Sequence, residues 1–254
     1  MAVRIGHASV DENGKIQGGK AGDQTQKEVC IRSWYNKSWN VVLRPKKEKL
    51  AEKSAAFVEQ ACANDNIGYD QWNRNTLYAQ AIVVNFNASK IATPCECDCS
   101  ALMHVAAIAG GSVLPYGVNA LTTRTMRKAF KESGDYEVLT DSKYLTSDTY
   151  LKRGDILVKE GSHTVMVLDN GSVENTEPTR VLYYKTPMMV GEDVKWLQKK
   201  LIERGCLAAK NTKGQSNIDG KLGKDTSNAI GRFQAMVGIK VDKKCGPETR
   251  KHLN

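Results

Sequence analysis

The segment CECDCSALMHVAAIAGG, residues 95–111, sets a thiol at the start of an apolar run that ends at Gly110-Gly111, a helix-stop signal. A cysteine there meets free backbone N–H groups and the positive end of the helix dipole, and both favour the thiolate. Of Cys95, Cys97 and Cys99, the last is best placed, immediately before Ser100 and the helical run. Such a thiol attacks a carbonyl carbon once a base takes its proton. The candidate base is His163 in RGDILVKEGSHTVMVLDNGSVENT, a histidine that opens a β-branched segment after a turn. Neutral imidazole accepts the thiol proton and later returns it to a leaving amine. His7 and His104 read as structural, His104 deep in the helix that carries Cys99.

A third group must hold the imidazole, and the hairpin after His163 offers two. If Asn170-Gly171 is a two-residue turn, Glu174 shares the face of His163; if Gly171 is left-handed and bulged, Asn175 does. Both loops are common, so residue types leave the choice open. Cys95-x-Cys97-x-Cys99 lacks the fourth ligand and the C-x₂-C spacing of structural zinc. No metal and no cofactor is expected. Trp34, Tyr35 and Trp39 are candidates to line a sugar or peptide groove, with core packing as the alternative.

The elements that position these residues follow from periodicity. Residues 1–45 read as irregular structure with short strands. In KKEKLAEKSAAFVEQACAN, Leu50, Ser54, Phe57, Val58, Ala61 and Cys62 fall on one helical face. NRNTLYAQAIVVNFN is a second helix, the run from Cys99 a third, and RTMRKAFKESG, capped by Thr122 or Thr123, a fourth. GDILV (154–158), SHTVMVL (162–168), SVENT (172–176) and RVLYY (180–184) then read as strands. Helices first and an antiparallel sheet afterwards is an α+β pattern, with the order of thiol helix and histidine strand found in papain-like cores. After Lys185 the style becomes all-α. GEDVKWLQKKLIERG and TSNAIGRFQAMVG are amphipathic helices, and DGKLGKDTSNAI (219–230) is echoed 23 residues later by DKKCGPETRKHL (242–253), which predicts a third. The expected domains are 1–183 and 187–254.

Charge divides the same way. Of the formal +9, residues 186–254 hold +7, from 14 Lys/Arg against 7 Asp/Glu, while the first 185 are near neutral. A basic module beside a neutral body suits an anionic polymer. No basic strand with interleaved aromatics or recognition helix accompanies the charge, so nucleic acid is not the expected partner. No apolar run reaches membrane-spanning length and the N-terminus lacks the apolar core of a secretory signal, so synthesis in the cytosol without membrane insertion is expected. Seven cysteines without framework spacing argue against a disulfide scaffold.

The residues DCSAL (98–102), GDILV (154–158) and SHTVMVLDNG (162–171) resemble the NlpC-type cell-wall cysteine peptidases and related CHAP-type amidases, closest to the amidohydrolase domains of phage endolysins. That pattern has its third polar residue twelve positions after the histidine, which falls on Asn175. It departs at Ala101, where glycine is usual, and at Thr164-Val165, where Val-Gly is common. GEDVKWLQ (191–198), DGKLGKDTSNAIGRFQ (219–234) and DKKCGPET (242–249) resemble the type 1 peptidoglycan-binding domain, with Leu222 and Lys243 as departures. The resemblance implies a monomeric endolysin-like enzyme acting on bacterial peptidoglycan after release from the cell. Cys99, His163 and Asn175 would be catalytic, and Asp98, Ser100, Trp34 and Tyr35 would bind substrate. It allows either the muramoyl-L-alanine amide or a stem-peptide bond as the one cut. A non-catalytic wall-binding protein and a cysteine protease acting on protein are the alternatives.

Overall fold

The computed structural model describes residues 3–172 and 180–253. The chain is α+β with a helical C-terminal region, as predicted, and divides into two compact units, Met1–Ser172 and Val173–Asn254. The first unit contains, in order, β1 (Arg4–Ala8), β2 (Val29–Ser33), β3 (Val41–Pro45), α1 (Glu48–Cys62), β4 (Ile67–Tyr69), α2 (Thr76–Val83), β5 (Cys95–Cys97) and α3 (Cys99–Ala109). It continues with α4 (Met126–Glu132), β6 (Tyr136–Leu139), α5 (Ser142–Leu145), β7 (Ile156–Lys159) and β8 (His163–Val167). Six strands pair antiparallel in the order β2-β1-β8-β7-β3-β6, and β4 and β5 form a small parallel pair.

Strand periodicity sorts the core. Val41 and Leu43 of β3 and Ile156 and Val158 of β7 join the apolar cluster formed with α1 and α3. Their neighbours Val42 and Leu157 enter a second cluster on the other face, with Ile5, Trp39, Val165 and Val167. Burial on both faces is why these strands read as continuous apolar runs. The predicted stripe of α1 is the buried one, Leu50, Ser54, Phe57, Val58 and Ala61. The Gly-Asp pair before β7 also has a physical cause. Gly154 adopts φ +87°, and a Cβ there would stand 2.7 Å from the Ala51 backbone. Asp155 is buried and accepts from Arg44 Nε at 2.8 Å and its terminal nitrogen at 2.6 Å, tying β7 to β3.

Three expectations need correction. β8 has β7 on one edge and β1 on the other, so the edge assigned to SVENT belongs to a strand from the N-terminus; Glu174 and Asn175 lie outside the described residues. RVLYY forms no strand in the first unit's sheet: Leu182 makes an isolated bridge to Cys245 and lies in the core of the second unit. The fourth helix starts two or three residues late, after Thr125, whose hydroxyl accepts the Thr122 N–H.

In the second unit α6 (Glu192–Glu203), α7 (Lys224–Met236) and α8 (Pro247–Leu253) enclose Val194, Leu197, Leu201, Ile230, Phe233 and Leu253. The echo has a common hydrogen-bond pattern. Gln198 Nε2 donates to Asp219, Thr226 and the Lys221 carbonyl at 2.8–3.2 Å. Gln234 Nε2 donates likewise to Asp242, Thr249 and the Lys244 carbonyl at 2.8–3.0 Å, and the Thr249 hydroxyl donates to the same carbonyl at 3.1 Å. Each glutamine is buried and clamps one turn to the helix before it. Among the described residues no helix is long and apolar enough to cross a membrane.

Candidate active site

Cys99 is the first residue of α3, and Asp98 is its N-cap. The Asp98 carboxylate accepts the Ala101 N–H at 2.7 Å and the Ser100 hydroxyl at 3.0 Å, and pairs with Arg74 at 3.1 Å. Arg74 also donates to Ser100 Oγ and to the Leu121 carbonyl. Asp98 and Ser100 are buried, and their polar atoms face these internal partners. They fix the start of α3 and hence the thiol.

The Cys99 side chain is 5% exposed. Burial pushes its thiol up to about 12, and the nearby Asp98 charge adds to this; N–H groups of Thr164 and Ser100 and the Arg74 charge act in the other direction. Helix-start stabilisation is therefore present but outweighed, and the thiol is protonated at neutral pH, contrary to the expected thiolate. α3 packs against β8, and the Thr164 N–H, on the residue directly after His163, lies close enough to the Cys99 thiol to favour its ionised form.

His163 is surrounded by groups distant in sequence. Its Nε2 is 3.0 Å from His7 Nδ1, the rings meeting edge to face at 80°. Trp39 stacks on it with ring centroids 6.4 Å apart. His7 Nε2 in turn lies 3.6 Å from Cys30 Sγ on β2, its register partner. Burial lowers His163 to about 3, helped by His7, Lys37 and Arg32, and lowers His7 to about 4, helped by Arg32 and Lys37. Both rings are neutral. The thiol at the start of α3 and both imidazoles are thus neutral.

Trp34 and Tyr35 are half-buried beside the second core cluster; Tyr35 packs on Trp39 and carries the Arg32 guanidinium over its ring at 4.7 Å. Cys95 and Cys97 belong to the main core, and the Cys97 thiol donates to the Gly68 carbonyl. His104 is structural: fully buried, it accepts the Leu121 N–H and stacks on Tyr116. The sequence marks Trp39 as a groove candidate but reads His7 as structural and does not single out Cys30 or Arg74. Each reaches the site through strand pairing or a long-range bond, which local spacing does not encode. In the second unit a cavity of about 180 Å³ is lined by Asn211, Asn217, Asp219, Lys221, Lys224 and Asp225, among others.

Comparison with family models matches residues 5–174 to an endolysin-like domain and residues 190–253 to a peptidoglycan binding domain. Neither the curated proteins nor the solved structures contain a match.

Proposed function

Because the chain belongs to the endolysin-like domain family and carries a peptidoglycan-binding domain after it, we propose that it cleaves an amide bond of wall peptide with Cys99 as nucleophile and His163 as base. The observation that supports this most is the packing of α3, which Cys99 opens, against β8, which His163 opens. In the proposed reaction His163 takes the thiol proton as sulfur adds to the carbonyl carbon. Backbone N–H groups at the start of α3 hold the oxyanion. The imidazolium then protonates the leaving amine, giving a thioester, and His163 deprotonates the water that hydrolyses it. The resemblance gives the ring-orienting place to Asn175. Asp98 and Ser100 act by fixing the helix start, and Trp34 and Tyr35 offer an aromatic wall to substrate.

The second domain holds the enzyme on the anionic wall, and its polar cavity suits the amides and charges of a stem peptide. Synthesis in the cytosol followed by release through the host membrane completes the reading. The bond cut is the muramoyl-L-alanine amide or one within the stem, such as γ-D-glutamyl to diamino acid. Mass spectrometry of fragments released from defined peptidoglycan distinguishes these by the new amine. Release of the same fragments at the wild-type rate by Cys99→Ala would refute the thiol mechanism.

A further inference from the structure

We propose that His7 is the residue that orients His163 and sets its tautomer, with the Cys30 thiol anchoring His7 from behind. The inference rests on the reading of Cys99 and His163 as nucleophile and base, and it moves the orienting role away from the segment after β8.

The place for such a residue is beside β8, and β1 occupies it. The register pairs Ile5 with Val167 and Gly6 with Met166, so His7, one residue on, falls opposite Val165 and diagonal to His163 on the same face. The approach is close. A Cβ on Gly6 would run into Val58 of α1, so glycine lets β1 sit against that helix and carry His7 inward. The result is the 3.0 Å contact between His7 Nδ1 and His163 Nε2. A ring nitrogen carrying hydrogen has one hydrogen bond to give. With His7 at Nε2, no second acceptor can take the same proton.

Proton accounting then fixes the direction of the chain. Two neutral rings joined nitrogen to nitrogen share one proton across the contact. If His163 Nε2 donates, its Nδ1 keeps the lone pair that a general base needs. His7 Nδ1 is then the acceptor, so His7 carries its own proton on Nε2 and donates it to the Cys30 sulfur 3.6 Å away. The reverse arrangement has Cys30 donating inward and leaves His163 protonated on Nδ1, with no lone pair for the thiol. Only the first direction supports catalysis. Trp39, stacked on His163, keeps the ring in the plane that both contacts need.

Two measurements on the full chain test this. Heteronuclear NMR of the imidazole nitrogens at neutral pH should find the His163 proton on Nε2, and this proton should shift in His7→Asn. A His163 proton on Nδ1 in the unaltered protein would overturn the proposal. In wall digestion, His7→Ala should lose about 10²- to 10⁴-fold in kcat with KM little changed, the size expected for losing a tautomer-setting partner. His7→Asn, whose Oδ1 replaces Nδ1 as acceptor, should recover at least about tenfold of that loss. A folded His7→Ala with kcat within about threefold of the unaltered protein would overturn the assignment, since about 0.7 kcal/mol is too little for such a role. Should His7→Ala fail to fold, His7→Asn and the tautomer decide. Cys99→Ala and His163→Ala separate the two layers. If both are dead and His7→Ala is active, only the orienting role fails. If both are active, the nucleophile and base reading fails, while the NMR still reads the His7–His163 bond.

Discussion

Lowering the pH should destabilise the first domain, and Glu96→Gln should make the loss larger. Three histidines are held neutral by burial, His7 and His104 at about 4 and His163 at about 3, against an ordinary 6.5. A histidine whose pKa falls on folding binds protons more readily when unfolded, so its penalty is absent above 6.5 and grows as pH drops toward the folded value. Between about pH 7 and about pH 5 each contributes a loss of about 2 kcal/mol, or about 6 together. Glu96 works in the opposite sense. Burial and the Glu28 charge raise it to about 8, and its Oε2 has no hydrogen-bond partner among the described residues, so the folded state keeps it protonated. Its stability is full below its ordinary 4.5 and is lost as pH rises toward 8. Over the same interval acidification therefore returns about 2.5 kcal/mol. From these four groups the unaltered protein should lose about 3 kcal/mol, and Glu96→Gln, which mimics the protonated form at every pH, nearly the full 6. Glu28 and Asp155, whose pKa values are also raised, are common to both proteins and drop out of the difference. Urea unfolding followed by tryptophan emission in a Trp196→Phe background isolates the domain that holds Trp34, Trp39 and Trp72. If the two proteins lose the same stability to within about 1 kcal/mol, Glu96 is not held neutral and the reasoning fails.

Arg74→Met should cost the first domain about 3–5 kcal/mol, because it strands the buried Asp98 carboxylate; adding Asp98→Asn should recover part of that in a double-mutant cycle read by urea unfolding. Leu182→Ala should destabilise the second domain by about 2–5 kcal/mol and leave the first unchanged, as the emission of Trp196 against the other tryptophans would register. Wall binding by the basic module should weaken as salt rises past about 0.15 M, where the Debye length is about 8 Å; a pull-down of the full Cys99→Ala chain on purified walls across a salt series measures this, and a flat series would mean uncharged contacts carry the binding.

What could be read from the sequence was what is local. The stripe of α1, the thiol opening α3 and the histidine opening β8 follow from spacing within about fifteen residues, and the structure has them in those elements. The second domain was legible for the same reason, since its echo repeats the Asp and Thr positions that the Gln198 and Gln234 clamps use. The strand partner of β8 was not legible. Hairpin reasoning assumes that the next segment returns along the same edge, whereas here that edge is filled by β1, more than 150 residues earlier. His7 looked structural because nothing in IGHA marks what lies beside it after folding. β4, β5 and β6 are three or four residues long and lack the alternation that would announce them.

The same contrast between local and global governs the thiol. A helix start lowers a cysteine pKa when the site is open; here Cys99 is enclosed, and the cost of burying charge is larger. Raising the thiol from 9.0 to about 12 adds about 4 kcal/mol to ionisation, and lowering His163 from 6.5 to about 3 adds about 5 to forming imidazolium. Counted from the shifted values, moving the proton from sulfur to ring costs about 12 kcal/mol before the two charges attract. Even two charges in contact, at about 4 Å and an effective dielectric of about 20, return only about 4. A standing ion pair would therefore lie some way above the neutral pair, by about 8 kcal/mol. In the proposed reaction proton transfer has to accompany carbon–sulfur bond formation, when the negative charge passes to an oxygen that backbone N–H groups can hold. Under that constraint the orientation of the imidazole matters more than its basicity, because the ring must receive the proton at the moment sulfur moves. A partner that fixes ring and tautomer without adding charge meets this need, and a neutral histidine on the neighbouring strand supplies it.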